Sequence, residues 1–152
     1  GFTPYVKLGV GLFSYDPYTL LKGQKVFLRP LGTEGQTIGY MGRSEYSTMS
    51  FSIPFGVGIK YNINQKFNLT FEVAHRFTGT DYLDDVSTTF IGADKFLAGS
   101  NAALLQDRRF EIDADSFLEG QQRGWNKQKD AFIIAEVGIS FNLSSYRCPS
   151  AF

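Results

Sequence analysis

In 152 residues there is one cysteine, Cys148, and one histidine, His75. A single cysteine excludes an internal disulfide framework, and with no CxxC there is no zinc or thiol-redox motif. Charge of one sign is not in excess: 15 Lys+Arg stand against 15 Asp+Glu. Proteins that bind nucleic acid carry a basic surplus, so none is expected as a partner. No window approaches the roughly 18 apolar residues of a transmembrane helix. A leader with a charged and then an apolar stretch is not seen either, since Gly1-Phe2-Thr3-Pro4 runs straight into strand-like sequence. For an exported protein this reads as a mature, trimmed or incomplete chain. Internal repeats and low-complexity tracts are lacking as well.

What is abundant is aromatic and glycine. There are 15 Phe, 8 Tyr and 16 Gly, with aromatics at 16%. Phe and Tyr favour strands, and glycine marks bends and close approaches. Four segments alternate with period two, the mark of a strand. The first, 5–15, puts Val6, Leu8, Val10 and Leu12 on one face and Lys7, Gly9 and Gly11 on the other. The second, 50–61, sets Phe51, Ile53, Phe55, Val57, Ile59 and Tyr61 against Ser50, Ser52, Pro54, Gly56, Gly58 and Lys60. The third, 66–78, opposes Phe67, Leu69, Phe71, Val73, His75 and Phe77 to Asn68, Thr70, Glu72, Ala74 and Arg76. The fourth, 131–143, opposes Ile133, Ala135, Val137, Ile139, Phe141 and Leu143 to Phe132, Ile134, Glu136, Gly138, Ser140 and Asn142.

Each run has about the 9–11 residues a tilted strand needs to cross a bilayer, and aromatics gather at the run ends as interface girdles do. A soluble sandwich alternates too, but its second face meets water and carries many long polar residues. Here the second face is Gly, Ser, Ala and Thr with isolated charges: Lys7, Lys60, Glu72, Arg76 and Glu136. Small residues with charges of both signs fit the interior of a narrow barrel, where charges must pair. Glu72→Leu is therefore expected to lower stability by stranding a basic neighbour. A short Asn62-Ile63-Asn64-Gln65 turn, with long segments 16–49 and 79–130, gives the short-turn, long-loop layout of a barrel. The second long loop predicts a short helix with Asn101 as N-cap before Ala102-Ala103-Leu104-Leu105.

The fold class expected is all-β, an antiparallel transmembrane β-barrel. Four strands do not close one, because the smallest membrane barrels have eight and an open edge in lipid leaves backbone groups unpaired. Either the chain is half of a longer protein, the preferred reading, or partner strands come from another chain.

The loops are more specific than the strands. Pro30-Leu31-Gly32-Thr33-Glu34-Gly35-Gln36 follows the first strand and Thr80-Asp81-Tyr82-Leu83-Asp84-Asp85-Val86-Ser87-Thr88-Thr89 the third. Gln122-Arg123-Gly124 precedes the fourth, and Cys148-Pro149 lies near the end. In this order the segments resemble, over essentially the whole chain, the PorG-like outer-membrane barrel family of Bacteroidota, which includes a component of the type IX secretion system. The resemblance implies an eight-stranded barrel of which 1–152 is the C-terminal half, strands five to eight, with a tail 144–152 in the periplasm. It also implies an outer-membrane location and a structural role: an anchor that contacts PorK/PorN-like periplasmic ring proteins. The alternative is a small pore or ligand-binding barrel unrelated to secretion.

Other chemistry is thin. His75 lies by parity on the apolar face with no Ser or Asp beside it, so no catalytic triad is expected and the chain is read as non-enzymatic. Asp81, Asp84 and Asp85 lack the EF-hand spacing. Gly9-x-Gly11 and Gly56-x-Gly58 lack the helix and Lys-Ser/Thr of a phosphate loop. The sequons at Asn68 and Asn142 fall in or at strands and read as chance. No cofactor, metal or small-molecule substrate is expected. Tyr82, Leu83, Asp84 and Asp85, with Tyr146 and Cys148 of the tail, are the candidate partner contacts.

Overall fold

A computed structural model of the protein describes residues 1–112 and 114–143. The candidate contacts Tyr146 and Cys148 lie outside the described residues. The described chain is all-β and antiparallel, with a single five-residue α-helix. It forms two compact units. Among the described residues, one holds Gly1–Gly11, Ser52–Phe77 and 131–143; the other holds Leu12–Phe51 and Thr78–Asp130.

The first unit is built on four strands in the order β1 (Phe2–Leu8), β5 (Met49–Asn62), β6 (Phe67–Thr78), β7 (Ala131–Phe141). A short β2 (Gly11–Ser14) also pairs with β5. The register keeps like with like. Val6 faces Val57 and Leu8 faces Phe55, while Lys7 faces Gly56. Phe71 faces Val137 and Phe67 faces Phe141, while Asn68 faces Ser140. At one end of the sheet Phe2 meets Tyr61 and Phe67 meets Phe141, with ring centroids 4.6 and 5.1 Å apart. Cross-strand aromatic pairs of this kind help hold a register.

Two details depart from the expected strands. The run 5–15 is not one strand but β1 and β2, interrupted at Gly9-Val10. Gly9 N–H donates to the Pro54 carbonyl at 3.2 Å, but proline has no N–H to return, so the ladder is half made there. The turn between β5 and β6 uses Asn64 for its side chain. Its Oδ1 accepts from the N–H of Lys66 and of Phe67, both at 2.9 Å. Asn64 is not among the residues of positive φ, so its tolerance of that conformation is not what this turn uses.

Burial in this sheet is inverted relative to a water-soluble domain. Val10 and Leu12 are 80% exposed and Val137 72%, whereas Ser52, Asn68 and Ala74 are each 2% exposed. The covered face is the small polar one.

The second unit has an ordinary apolar nucleus of Leu21, Phe90, Ile91 and Leu105. Segment 16–49 is not structureless. It contains a hairpin, β3 (Tyr18–Leu21) with β4 (Gln24–Phe27). The two linking residues, Lys22 and Gly23, both take positive φ, at 50° and 80°. Two left-handed residues suit the right-handed twist of a tight hairpin, and glycine at the second makes this cheap. The helix α1 (Asn101–Leu105) is present, but its N-cap is Ser100, one residue before the expected Asn101. Ser100 Oγ accepts from Ala103 N–H at 3.2 Å, the usual capping bond. Segment 88–90 runs beside 120–124. Arg123 N–H donates to Thr88 O and Phe90 N–H to Gln121 O, both at 2.9 Å. This short pairing carries Arg123 into the unit.

Candidate functional site

Two constellations stand out, one in each unit. On the covered face of the sheet, Glu72 accepts from Lys7 Nζ at 2.7 Å and from Tyr5 OH at 2.9 Å. Tyr5 lies opposite Gly58 in the register, and a Cβ at Gly58 would meet the Tyr5 ring at 2.5 Å. The ring therefore lies across a strand that only glycine leaves low enough to cross. That explains why Gly58 stands there: it lets one side chain reach past a whole strand. Of the five charges expected on this face, Lys7 and Glu72 are brought together. Glu136 faces Glu72 across the β6–β7 pair. Lys60 faces Thr3 and Arg76 faces Phe132, and neither forms an ion pair among the described residues. Lys7 is the basic neighbour that Glu72→Leu would strand. Its side chain is 40% exposed, so the expected loss is well below that of a fully buried pair. Unchanged unfolding of Glu72→Leu in detergent would rule this out. His75 keeps the face expected of it, opposite Ile133, with its ring 4.3 Å from that of Phe77.

The second constellation explains the loop motifs. Glu34 is fully buried. Its carboxylate accepts from the N–H of Ser87 at 3.0 Å, from the N–H of Thr88 at 3.0 and 3.1 Å, and from Thr88 Oγ1 at 2.7 Å. Arg123 stands 3.4 Å from it and donates to Thr33 Oγ1 at 2.8 Å and to Asp85 O at 3.1 Å. Arg43 donates to Glu34 O at 2.8 Å and to Thr89 O at 3.0 Å. Asp85 takes a positive φ of 69° and accepts from Thr33 Oγ1 at 2.5 Å and Tyr46 OH at 2.7 Å. Aspartate is one of the few side chains that tolerates this backbone region. Gly35 and Gly124 fit because there is no room for more. A Cβ on Gly35 would meet Tyr40 at 2.5 Å, and one on Gly124 the Ser87 backbone at 2.8 Å. The Thr-Glu-Gly, Asp-Val-Ser-Thr and Arg-Gly motifs thus meet in one buried polar network in which the Glu34 carboxylate is met by several donors.

Tyr46 is held between two other tyrosines. Its ring stacks on Tyr82 with centroids 4.6 Å apart at 8° and lies parallel to Tyr15 at 6.3 Å. Burial pushes the Tyr46 phenol above its ordinary value near 10, and the bond to Asp85 pushes it further. Burial also raises the Tyr82 phenol and the Asp85 carboxyl. A raised folded value means that the folded state holds its proton more tightly than the unfolded one. The contribution of Tyr46 is then complete below pH 10 and is lost as pH rises beyond it. Asp85 follows the same sign from its ordinary value of 3.8, so it does not make this unit acid-labile. The loop unit is expected to lose amide protection above about pH 10, and Tyr46→Phe to flatten that alkaline slope while lowering the plateau by about 1 kcal/mol. Hydrogen exchange measured across that range checks both effects.

The candidate contact residues divide. Asp85, expected as a contact, is fully buried in this network and is unavailable to a partner. Tyr82 is half-buried in the tyrosine stack, Leu83 is half-buried, and Asp84 is exposed. Asp81 accepts from Ser87 Oγ at 2.5 Å and Asp84 from Val86 N–H at 3.1 Å. The acidic run is thus tied into turns, and among the described residues no group of three or more potential ligands could hold a metal ion. Arg43 and Tyr46 went unnoticed in the sequence. Neither belongs to a pattern, and their partners lie 46 and 39 residues away.

Fold and site together define an all-β antiparallel protein with an exposed apolar face on its sheet and a loop unit built around a buried polar network. Residues 33–95 match a family described as a domain of unknown function (DUF6089). The matched stretch holds Thr33, Glu34, Arg43, Tyr46, Asp85 and Thr88, all members of the loop network, but not Arg123. No curated protein and no solved structure matches the chain.

Proposed function

We propose that this chain is part of an outer-membrane β-barrel, the C-terminal half of one with eight strands, and that it serves as a non-enzymatic anchor of the type IX secretion machinery. One observation carries the barrel reading: the sheet buries Ser52, Asn68 and Ala74 while leaving Val57, Ile133 and Val137 open. Water does not favour that arrangement, and hydrocarbon does. β1 and β7 are the ends of the strand order, and within lipid their free edges need further strands. The secretion role is supported by the likeness of the loop motifs to those of PorG-like barrels of Bacteroidota. The partners it calls for are lipid and PorK/PorN-like periplasmic ring proteins.

The experiment is a gentle detergent purification of the native protein from outer membranes, followed by cross-linking mass spectrometry. A longer polypeptide with cross-links to periplasmic ring proteins is the expected result. A barrel that comes out alone would remove the anchor role and keep the fold. Recovery in the soluble fraction would remove both.

A further inference from the structure

We propose that a cleft of about 350 Å³ in the loop unit docks a basic segment of a partner polypeptide, taking up an arginine or lysine side chain. Its lining residues include Tyr15, Tyr18, Leu28 and Leu83 together with Asp16 and Asp84. These are the surfaces a long cation needs. Leucine covers the aliphatic stem, tyrosine offers a π face to the charged head, and the carboxylates complete the match. The volume is at the small end for a binding pocket, enough for one long side chain and too little for a folded element.

Charge complementarity selects the occupant. Among the described residues neither Asp16 nor Asp84 makes an ion pair. Among the described residues Asp84 accepts the Val86 N–H inside its own turn. Two cations of the loop unit have partners of their own. Lys25 stands over the rings of Tyr18 and Phe27, at 4.0 and 4.6 Å, and Arg29 pairs with Glu45 at 3.0 Å. The Lys25 contact also shows the Tyr18 ring holding a cation within the chain itself. Tyr15 is fixed in place, with its OH 2.8 Å from Thr80 Oγ1 and its ring parallel to Tyr46. The cleft therefore has a fixed ring in its lining and two aspartates that make no ion pair among the described residues. It favours a basic residue and disfavours an acidic or phosphorylated one. This inference stands on the loop unit alone and holds whether or not the sheet lies in lipid.

The test is a calorimetric titration of the full-length protein in detergent micelles with three probes: a blocked tri-arginine peptide, a blocked tri-glutamate peptide and maltohexaose. Tri-arginine alone should bind. Its affinity should fall about tenfold or more in the D16N/D84N double variant, and it should weaken as salt rises from about 50 to about 500 mM. Asparagine keeps the shape of both side chains and the acceptor for Val86, and hydrogen exchange of the double variant checks that the loop unit is intact. Equal binding of tri-arginine to the double variant, or none to the parent, overturns the proposal. Binding of maltohexaose alone would also overturn it and make the cleft a saccharide site.

Discussion

Replacing Glu34 with alanine is expected to loosen the loop unit more than any other single truncation in it. The carboxylate is fully buried, accepts from two backbone N–H groups and one hydroxyl, and pairs with the Arg123 guanidinium 3.4 Å away. Alanine removes every one of these acceptors at once, from a position that is fully buried. An orphaned buried donor costs about 1–3 kcal/mol, and a buried charge stripped of its partner about 3–5 kcal/mol. These losses overlap, because Arg123 keeps Thr33 Oγ1 and the Asp85 carbonyl. A net loss of about 3–5 kcal/mol follows. It should be read as a fall of about a hundredfold or more in amide protection at Ser87 and Thr88. Glu34→Gln keeps an acceptor but not the charge and should fall between. Unaltered exchange at those two amides in Glu34→Ala would show that the network is not what holds the loops together.

The second large effect is expected on the open face of the sheet. Phe71 sits in the middle of β6, faces Val137 across to β7, and is 47% exposed. In a soluble protein, arginine at such a place would be tolerated or would improve solubility. In the membrane reading it lies near the bilayer midplane, where a guanidinium costs about 2–4 kcal/mol. Phe71→Arg should therefore reduce the free energy gained on folding into lipid vesicles by that amount, read as a lower urea midpoint at unchanged slope, while Phe71→Leu changes it little. The contrast separates the two solvents directly. A variant that folds as well as the parent in vesicles, or that becomes stable in buffer without detergent, would count against a lipid-facing surface.

Much of the sheet can be read from residue order. Strand existence and facing follow from a period of two, which is a local property. The three long strands lie within two residues of their expected ends. Where that reading slipped, the cause was chemistry one strand away. Pro54 breaks the β1–β2 run because it faces Gly9 across the ladder. The hairpin at Lys22-Gly23 was in principle visible as a short turn between two short alternating runs, but lysine at a left-handed position is a weak signal. The polar cluster on the covered face was legible as a set of charges, not as a set of pairs.

What the sequence by itself determined is the class of the surface: which residues face together, and that the face carrying the large apolar side chains has almost no polar company, His75 apart. Only the tertiary structure decided what the loop motifs are for. Glu34 meets Ser87 and Thr88 across 53 and 54 residues, and Arg123 meets Thr33 across 90. No periodicity connects such positions, because loops repeat nothing along the chain. Their partners are chosen by burial, where a carboxylate out of water must find donors wherever the fold brings them. The same fact moved Asp85 from an expected contact surface to the interior and left Asp84, one residue away, exposed at a cleft.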